Sequence, residues 1–230
     1  ISVCQPSRSV LMTGRYPHRN GARGFQPIDP GVPTLQEQLR AAGYMNGILG
    51  KVAHLAPQRK FCWDTVVQAG DLGAGRAPER YREHAAAFFK KAKEAGAPFF
   101  LMANAQDPHR PFAGSEQEGT AARAGGARRY PPPRRQAKPE EVRVPGFLPD
   151  LPEVRREVAE YYSSVNRCDE TVGAVLGALK DSGLDADTLV MFLSDNGMAF
   201  PFAKTNCWRA STRTPWLVRW PGTVTPGSLD

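Results

Sequence analysis

The sequence predicts an α/β fold in which a mostly parallel or mixed sheet is layered between helices. Helical segments alternate along the chain with short apolar runs, among them PFFLMA at 98–103 and TLVMFL at 188–193. These runs are continuously apolar, which is typical of strands buried on both faces. Polar residues follow the ends of the runs, where open α/β sheets bind their ligands. The 230 residues, 41% of them hydrophobic, suffice for one sizeable core or two small ones.

Four helices are predicted, one opening near Cys4 and the others at 34–42, 78–95 and 153–183. Pro6 suits a first helical turn, and Gly14 suits the end of that helix. Thr34 with Glu37 three residues later forms the pattern of a capping box. Apolar residues at steps of three and four support the last and longest helix.

Four strands are predicted, at 44–49, 98–103, 188–193 and 216–220. The second and third are expected to be buried. Residues 113–150 show no periodicity and are rich in Pro, Gly and Arg, so they are predicted to be a loop inserted in the domain. Helix and strand alternation favours parallel pairing of the strands.

Most of the net charge of +7 comes from the stretch between Arg123 and Arg143, which contains seven basic and two acidic residues. One interpretation is a solvated flexible loop, and the other is electrostatic capture of a polyanion. The stretch lacks regularly spaced aromatic residues, so nucleic acid is not an expected partner.

Several classes of protein are disfavoured by what the sequence lacks. No apolar run approaches the roughly 20 residues that span a bilayer, so no membrane span is predicted. The four cysteines are far apart and form no CxxC pair, which argues against a zinc knuckle or a disulfide framework. The chain opens on Ile1 without a leader, and we expect an internal fragment whose targeting signal lies upstream.

A motif near the N-terminus carries the most chemical information. Cys4 is followed by Pro6, Ser7 and Arg8, and Leu-x-Thr-Gly-Arg follows at 11–15. A cysteine at a helix N-terminus lies where the backbone stabilises negative charge, although a half-buried cysteine opening a surface helix would also fit. The motif resembles the signature of the type I sulfatases. That resemblance implies oxidation of Cys4 to formylglycine by a formylglycine-generating enzyme, with its hydrated aldehyde as nucleophile and Arg8 steadying the hydroxylate.

Two further segments resemble the same family. Lys51 and His54 follow the first predicted strand, with one more residue between them than the family's Gly-Lys-x-His. The resemblance implies that Lys51 contacts the sulfate and that His54 contacts the oxygen of the nucleophile. His109, after Asp107-Pro108, would donate to a sulfate oxygen or protonate the leaving group, which suits a side chain that titrates near neutrality. A surface lysine and histidine, and a turn initiated by Asp107-Pro108, are the structural alternatives.

The last segment is Ser-Asp-Asn-Gly at 194–197, directly after TLVMFL. Carboxylate and amide oxygens are hard ligands, although Asp-Asn-Gly is also a common turn. The resemblance implies that Asp195, Asn196 and the modified Cys4 bind Ca²⁺, in preference to Mg²⁺, together with an Asp-Asp pair from an N-terminal strand outside this sequence. It also implies sulfate contact by Lys204, and Asn206 is predicted to contact sugar hydroxyls.

The residues at 107–110 and 200–206 resemble those of the sulfamidase branch of this family. We therefore expect residues 1–230 to be part of an alkaline-phosphatase-like sulfatase catalytic domain, without its N-terminal metal-binding strand and its C-terminal part. The implied reaction releases sulfate from a sulfated sugar, N-sulfoglucosamine in the first place. The alternatives are an O-sulfatase, a phosphonate or phosphate ester hydrolase of the same superfamily, and an inactive glycan-binding fragment. The family expectation for location is secreted, periplasmic or lysosomal.

Overall fold

The structure is a computed structural model that describes residues 2–124 and 130–229. Its helices are α1 (Cys4–Thr13), α2 (Pro17–Asn20), α3 (Leu35–Ala41), α4 (Pro78–Glu94), α5 (Glu116–Ala124), α6 (Pro152–Ser182) and α7 (Arg209–Thr212). Its strands are β1 (Met45–Leu49), β2 (Thr65–Val67), β3 (Phe99–Ala103), β4 (Val190–Leu193) and β5 (Trp216–Arg219). The order of helices and strands confirms the predicted α/β class.

The predicted helix ends are confirmed by their cap geometry. Thr34 and Glu37 form a capping box, in which each side chain accepts from the backbone N–H of the other residue. Gly14 ends α1 in the left-handed conformation, with φ of 63°, and Gly183 ends α6 in the same way. These signals act within one helical turn, which is why they are readable from sequence.

The sheet is mixed. β1 lies between β2 and β3, and both of its pairings are parallel. β4 and β5 form a separate antiparallel pair. The sequence did not predict β2, whose three residues are too short for a periodic pattern. The expectation that β4 is buried is wrong for its centre, where Met191 and Phe192 are 46% and 36% exposed in the described structure.

The two faces of the parallel sheet bury different cores. Leu49 faces a cluster built with Tyr81 and Phe88 of α4 and with the C-terminal half of α6. Its neighbour Ile48 points to the opposite face, into a cluster with Met12 of α1. This alternation follows from the pleat of a strand. It places α1, and with it Cys4, on one side of β1, near the carboxyl ends of β1 and β3.

The predicted 113–150 loop differs from the structure in two respects. It begins with α5, and its later part lies along α6. The backbone N–H groups of Arg135 and Ala137 donate to side chains of α6, and Val142 is buried in a third cluster. The basic side chains of this part, Arg134, Arg135, Lys138 and Arg143, are exposed, which agrees with the solvated-loop interpretation, while its backbone is attached to α6. Residues 125–129, which include Arg128 and Arg129, lie outside the described residues.

The structure places seven α-helices in residues 2–124 and 130–229. None of these helices is both long enough and apolar enough to span a bilayer.

Candidate active site

Cys4 occupies the first helical position of α1 and is 6% exposed. Val3 before it is extended and provides no side-chain cap. The first N–H groups of α1 therefore have no side-chain acceptor at Val3, and the positive end of the helix lies beside Cys4. This arrangement favours an oxygen anion at the Cys4 side chain.

Arg8, one turn further along α1, joins two strand ends. Its Nε and Nη2 atoms lie 2.9 and 2.8 Å from Oδ2 of Asp195, which follows β4. Its Nη1 donates to Oδ1 of Asn104, which follows β3. Arg8 therefore brings Cys4 of α1, the end of β3 and the end of β4 into one site.

The sequence places Asn104 directly after a strand end but assigns it no role in the site. Its amide nitrogen donates to the carbonyl oxygens of Leu49, Gly50 and Met102 at 3.1–3.2 Å, so its oxygen faces Arg8. The carbonyl oxygen of Asn104 accepts from the buried Tyr81 hydroxyl at 2.6 Å. The sequence signal was its position directly after a strand, but the bond to Arg8 spans 96 residues and is not readable from a pattern.

Lys51 and His54 lie on one tight turn after β1. Residues Val52–His54 form a single 3₁₀ turn, closed by a bond of 2.9 Å from the His54 N–H to the Lys51 carbonyl. The positive charge of Lys51 lowers the pKa of His54, so the two side chains lie near one another. The turn therefore places both side chains at the site despite the extra residue between them. Gly50 before it is required, because a Cβ there would lie 2.7 Å from the Asn104 carbonyl oxygen.

His109 follows β3 on the turn that Asn104 begins. Its Nδ1 lies 2.7 Å from the Arg110 carbonyl oxygen, and a carbonyl can only accept, so Nδ1 carries the proton of the neutral ring. Burial lowers the pKa of His109, and the charges of Lys51 and Lys204 lower it further. Nε2 is therefore an acceptor in the free protein and becomes a donor when an anion draws a proton to it.

Asp195 and Asn196 present adjacent oxygen atoms at the end of β4. The side-chain oxygen of Asn196 is buried and has no hydrogen-bond partner within the described structure. A buried amide oxygen without a partner is costly, and a hard cation would satisfy it. The described residues contain no group of three or more His, Cys, Asp or Glu side chains that could hold a metal. The unpartnered Asn196 oxygen and the neighbouring Asp195 carboxylate supply two oxygen ligands of the kind a hard cation binds, and further ligands would have to come from outside these two residues.

Lys204 and Asn206 lie on the loop between β4 and β5. Lys204 is half-buried, and its charge lowers the pKa of both Lys51 and His109. The amide of Asn206 bonds within its own loop: its nitrogen donates to the Lys204 carbonyl at 3.0 Å, and its oxygen accepts from the Trp208 N–H at 2.9 Å. These two bonds brace the Lys204 loop and leave one N–H and one lone pair of the Asn206 amide available, so its contact with sugar hydroxyls stays a prediction.

The electrostatic balance of the site favours an anion. Burial lowers the pKa of Lys51, and the neighbouring positive charge of Arg8 lowers it further. Burial, Lys51 and Arg8 together lower the pKa of His54 to about 4. Arg8 and Lys204 thus both repel the charge of Lys51, and the Asp195 carboxylate counters them. A bound sulfate or phosphate would relieve this repulsion.

Comparison with known proteins supports the family resemblance of the sequence motifs. The Sulfatase family model matches residues 2–228. The human N-sulphoglucosamine sulphohydrolase is 36% identical over 237 residues, which cover 96% of this chain and 46% of that protein. The chain spans 41–50% of the length of the first curated relatives that it matches.

Two solved structures illustrate the fold. The yidJ protein of Bacteroides fragilis superposes with a TM-score of 0.68 at 20% identity, covering 98% of this chain and 59% of that one. The phosphonate monoester hydrolase of Silicibacter pomeroyi superposes with a TM-score of 0.60 at 18% identity, covering 96% and 59%. Likeness at this identity shows the fold alone, which is alkaline-phosphatase-like.

Proposed function

The chain belongs to the sulfatase family, and from that premise we propose that the intact protein hydrolyses a sulfated sugar and releases inorganic sulfate. We infer N-sulfoglucosamine as its substrate, which makes the reaction the cleavage of an N–S bond. The similarity to the human N-sulphoglucosamine sulphohydrolase supports this substrate. The observation that carries the proposal is the set of cations around Cys4, formed by Arg8, Lys51 and Lys204.

The proposal includes conversion of Cys4 to formylglycine by a formylglycine-generating enzyme. The hydrated formylglycine supplies an oxygen nucleophile for sulfur and, through its second hydroxyl, a route for releasing sulfate. The N-terminal position of Cys4 in α1 and the nearby Arg8 would stabilise the oxygen anion. A cysteine thiol has no second hydroxyl, so the unmodified residue would not complete the cycle.

Asp195 and Asn196 would hold Ca²⁺ through their side-chain oxygens, and the ion would supply electrostatic stabilisation of developing negative charge. Lys51 and Lys204 would bind the sulfuryl oxygens as point charges. His109 would acquire a proton at Nε2 when the anion binds and donate it to the departing nitrogen. Half-buried His54, whose pKa is about 4, would remain neutral and hydrogen-bond the nucleophile's oxygen.

The test uses the intact protein produced together with a formylglycine-generating enzyme. Mass spectrometry of the peptide that carries Cys4 should show loss of sulfur and gain of oxygen. Sulfate release is then measured from N-sulfoglucosamine, 6-O-sulfated glucosamine and an aryl sulfate, and product release from a phosphonate monoester, with Cys4→Ala as the control. A preference for N-sulfoglucosamine supports the proposal. Preference for the 6-O-sulfate or for the phosphonate would replace the substrate, and full activity with an unmodified thiol would refute the formylglycine mechanism.

A further inference from the structure

A buried group of charged side chains lies directly behind His109. Arg167 of α6 and Glu118 of α5 have fully buried side chains, and those of Asp107 and Arg76 are 1% and 4% exposed. None of these four residues belongs to the site described above. They come from four different segments of the chain, which meet at the turn that follows β3.

Asp107 is the centre of this group. Arg167 donates to both of its carboxylate oxygens, from Nε to Oδ2 at 2.6 Å and from Nη2 to Oδ1 at 3.1 Å. Arg76 also donates to Oδ1, and its Nη2 donates to the His109 carbonyl oxygen at 3.0 Å. The Gln106 N–H donates to the Gly75 carbonyl at 2.8 Å, which attaches the segment of Arg76 to the same turn. The backbone on either side of Pro108 is therefore held by two guanidinium groups.

Stability is a weak explanation for such an arrangement. Burying several charges carries a large desolvation penalty, and apolar side chains of similar volume often stabilise a core equally well. A guanidinium group does fix the orientation of a carboxylate, because its planar array of N–H donors matches the two carboxylate oxygens in one geometry. The element that receives this orientation is the turn carrying His109.

We propose that Arg167 and Arg76 are positioning residues for His109: they fix the 107–109 turn through Asp107 so that Nε2 of His109 faces the substrate. This inference rests on the proposed function, in which His109 serves as the proton donor. Within residues 2–124 and 130–229, the His109 ring is anchored at Nδ1 to the carbonyl of the next residue alone, so its placement follows the backbone of the turn. Arg167 also donates to the Pro131 carbonyl at 3.3 Å and lies over the Tyr130 ring, which joins the segment after residue 129 to the same anchor.

The test compares kcat, KM and thermal unfolding of the intact, matured enzyme and its Arg167→Lys variant. Lysine keeps the charge and loses the two-pronged contact with Asp107. Since a misplacement of about 1 Å can cost roughly 100-fold in rate, we expect kcat to fall by about 10- to 100-fold while KM changes little. Glu118→Gln is the matched control, because Glu118 accepts from Nη2 of Arg167 at 2.9 Å and its replacement leaves both Asp107 oxygens available to Arg167. It should lower the unfolding temperature and keep most of the kcat.

A double-mutant cycle separates positioning from general destabilisation. In a His109→Ala background, Arg167→Lys should lower kcat no further, because the group that it positions is gone. An additive loss, or an equal loss of kcat in Glu118→Gln, would overturn the inference. Full activity of His109→Ala would instead refute the proposed role of His109. If Arg167→Lys does not fold, Arg76→Lys takes its place in the same cycle, with the same outcomes.

Discussion

Replacing Asp195 with alanine should destabilise the protein as well as affect metal binding. The substitution removes the acceptor of two bonds from Arg8, at 2.9 and 2.8 Å, and leaves a guanidinium group that is only 11% exposed. Hydrogen bonds between charged groups contribute about 1.5–3 kcal/mol, and breaking a fully buried pair costs about 3–5 kcal/mol. Because Asp195 is 20% exposed and Arg8 keeps its bond to Asn104, we expect a loss of about 2 kcal/mol.

The assay is urea unfolding of the intact protein in the presence of a chelator. Asp181→Ala is the control, because Asp181 pairs with Arg82 in an ion pair whose side chains are 46% and 64% exposed. Such exposed pairs contribute about 0–1 kcal/mol. If both variants lost the same free energy of unfolding, the Arg8–Asp195 pair would not have the burial on which this reasoning depends.

The same experiment with Ca²⁺ tests the metal assignment separately. A ligand that binds only the folded state at 100 times its Kd stabilises by about 2.7 kcal/mol. The wild-type protein should show such a gain, and Asp195→Ala should lose most of it. Equal stabilisation of both proteins by Ca²⁺ would place the ion elsewhere.

Three further outcomes are expected. Burial lowers the pKa of His109 in the free protein, and a bound anion raises it. As the pH rises, kcat/KM should therefore decline first and kcat should decline at a higher pH. His109→Gln should abolish both declines in the pH–rate profiles. His54 has a pKa of about 4 in the folded protein, so it binds its proton at a lower pH than it does in the unfolded chain. The free energy of unfolding should therefore fall as the pH drops from 6.5 to 4. Urea titrations of His54→Gln should lack this component. Phe88→Ala should cost about 3–5 kcal/mol in urea unfolding, because Phe88 is 1% exposed between α4 and the sheet; a loss below 1 kcal/mol would contradict this packing.

Much of the fold could be predicted because its signals are local. The capping box of Thr34 and Glu37 and the left-handed Gly14 each act within one turn of helix, so the residues that determine the geometry are neighbours in sequence. The predicted strand ends were also informative. Carboxyl ends of parallel strands share one edge of a sheet, and this places the residues after β1 and β3 side by side.

The parts that sequence reasoning missed depend on contacts between distant segments. Asn104 carries no motif, and its role follows from its bonds to the end of β1 and to Arg8. β2 is too short for a periodic signal, and the exposure of Met191 depends on what packs over β4. Asp195 follows a strand, a position for which sequence predicts little cost of substitution, yet its ion pair with Arg8 crosses 187 residues.

The class of fold, the helix ends and the set of chemically competent side chains can be read from the sequence, because each of these depends on residues within a few positions of one another. Which of those side chains meet, which are buried and which way they point follow only from the packing of distant segments. Arg167 illustrates the difference: on α6 it is one more polar residue, and its bonds to Asp107, 60 residues away, make it part of the support of His109. Burial and hydrogen-bond partners are properties of the assembled core, so no local pattern encodes them.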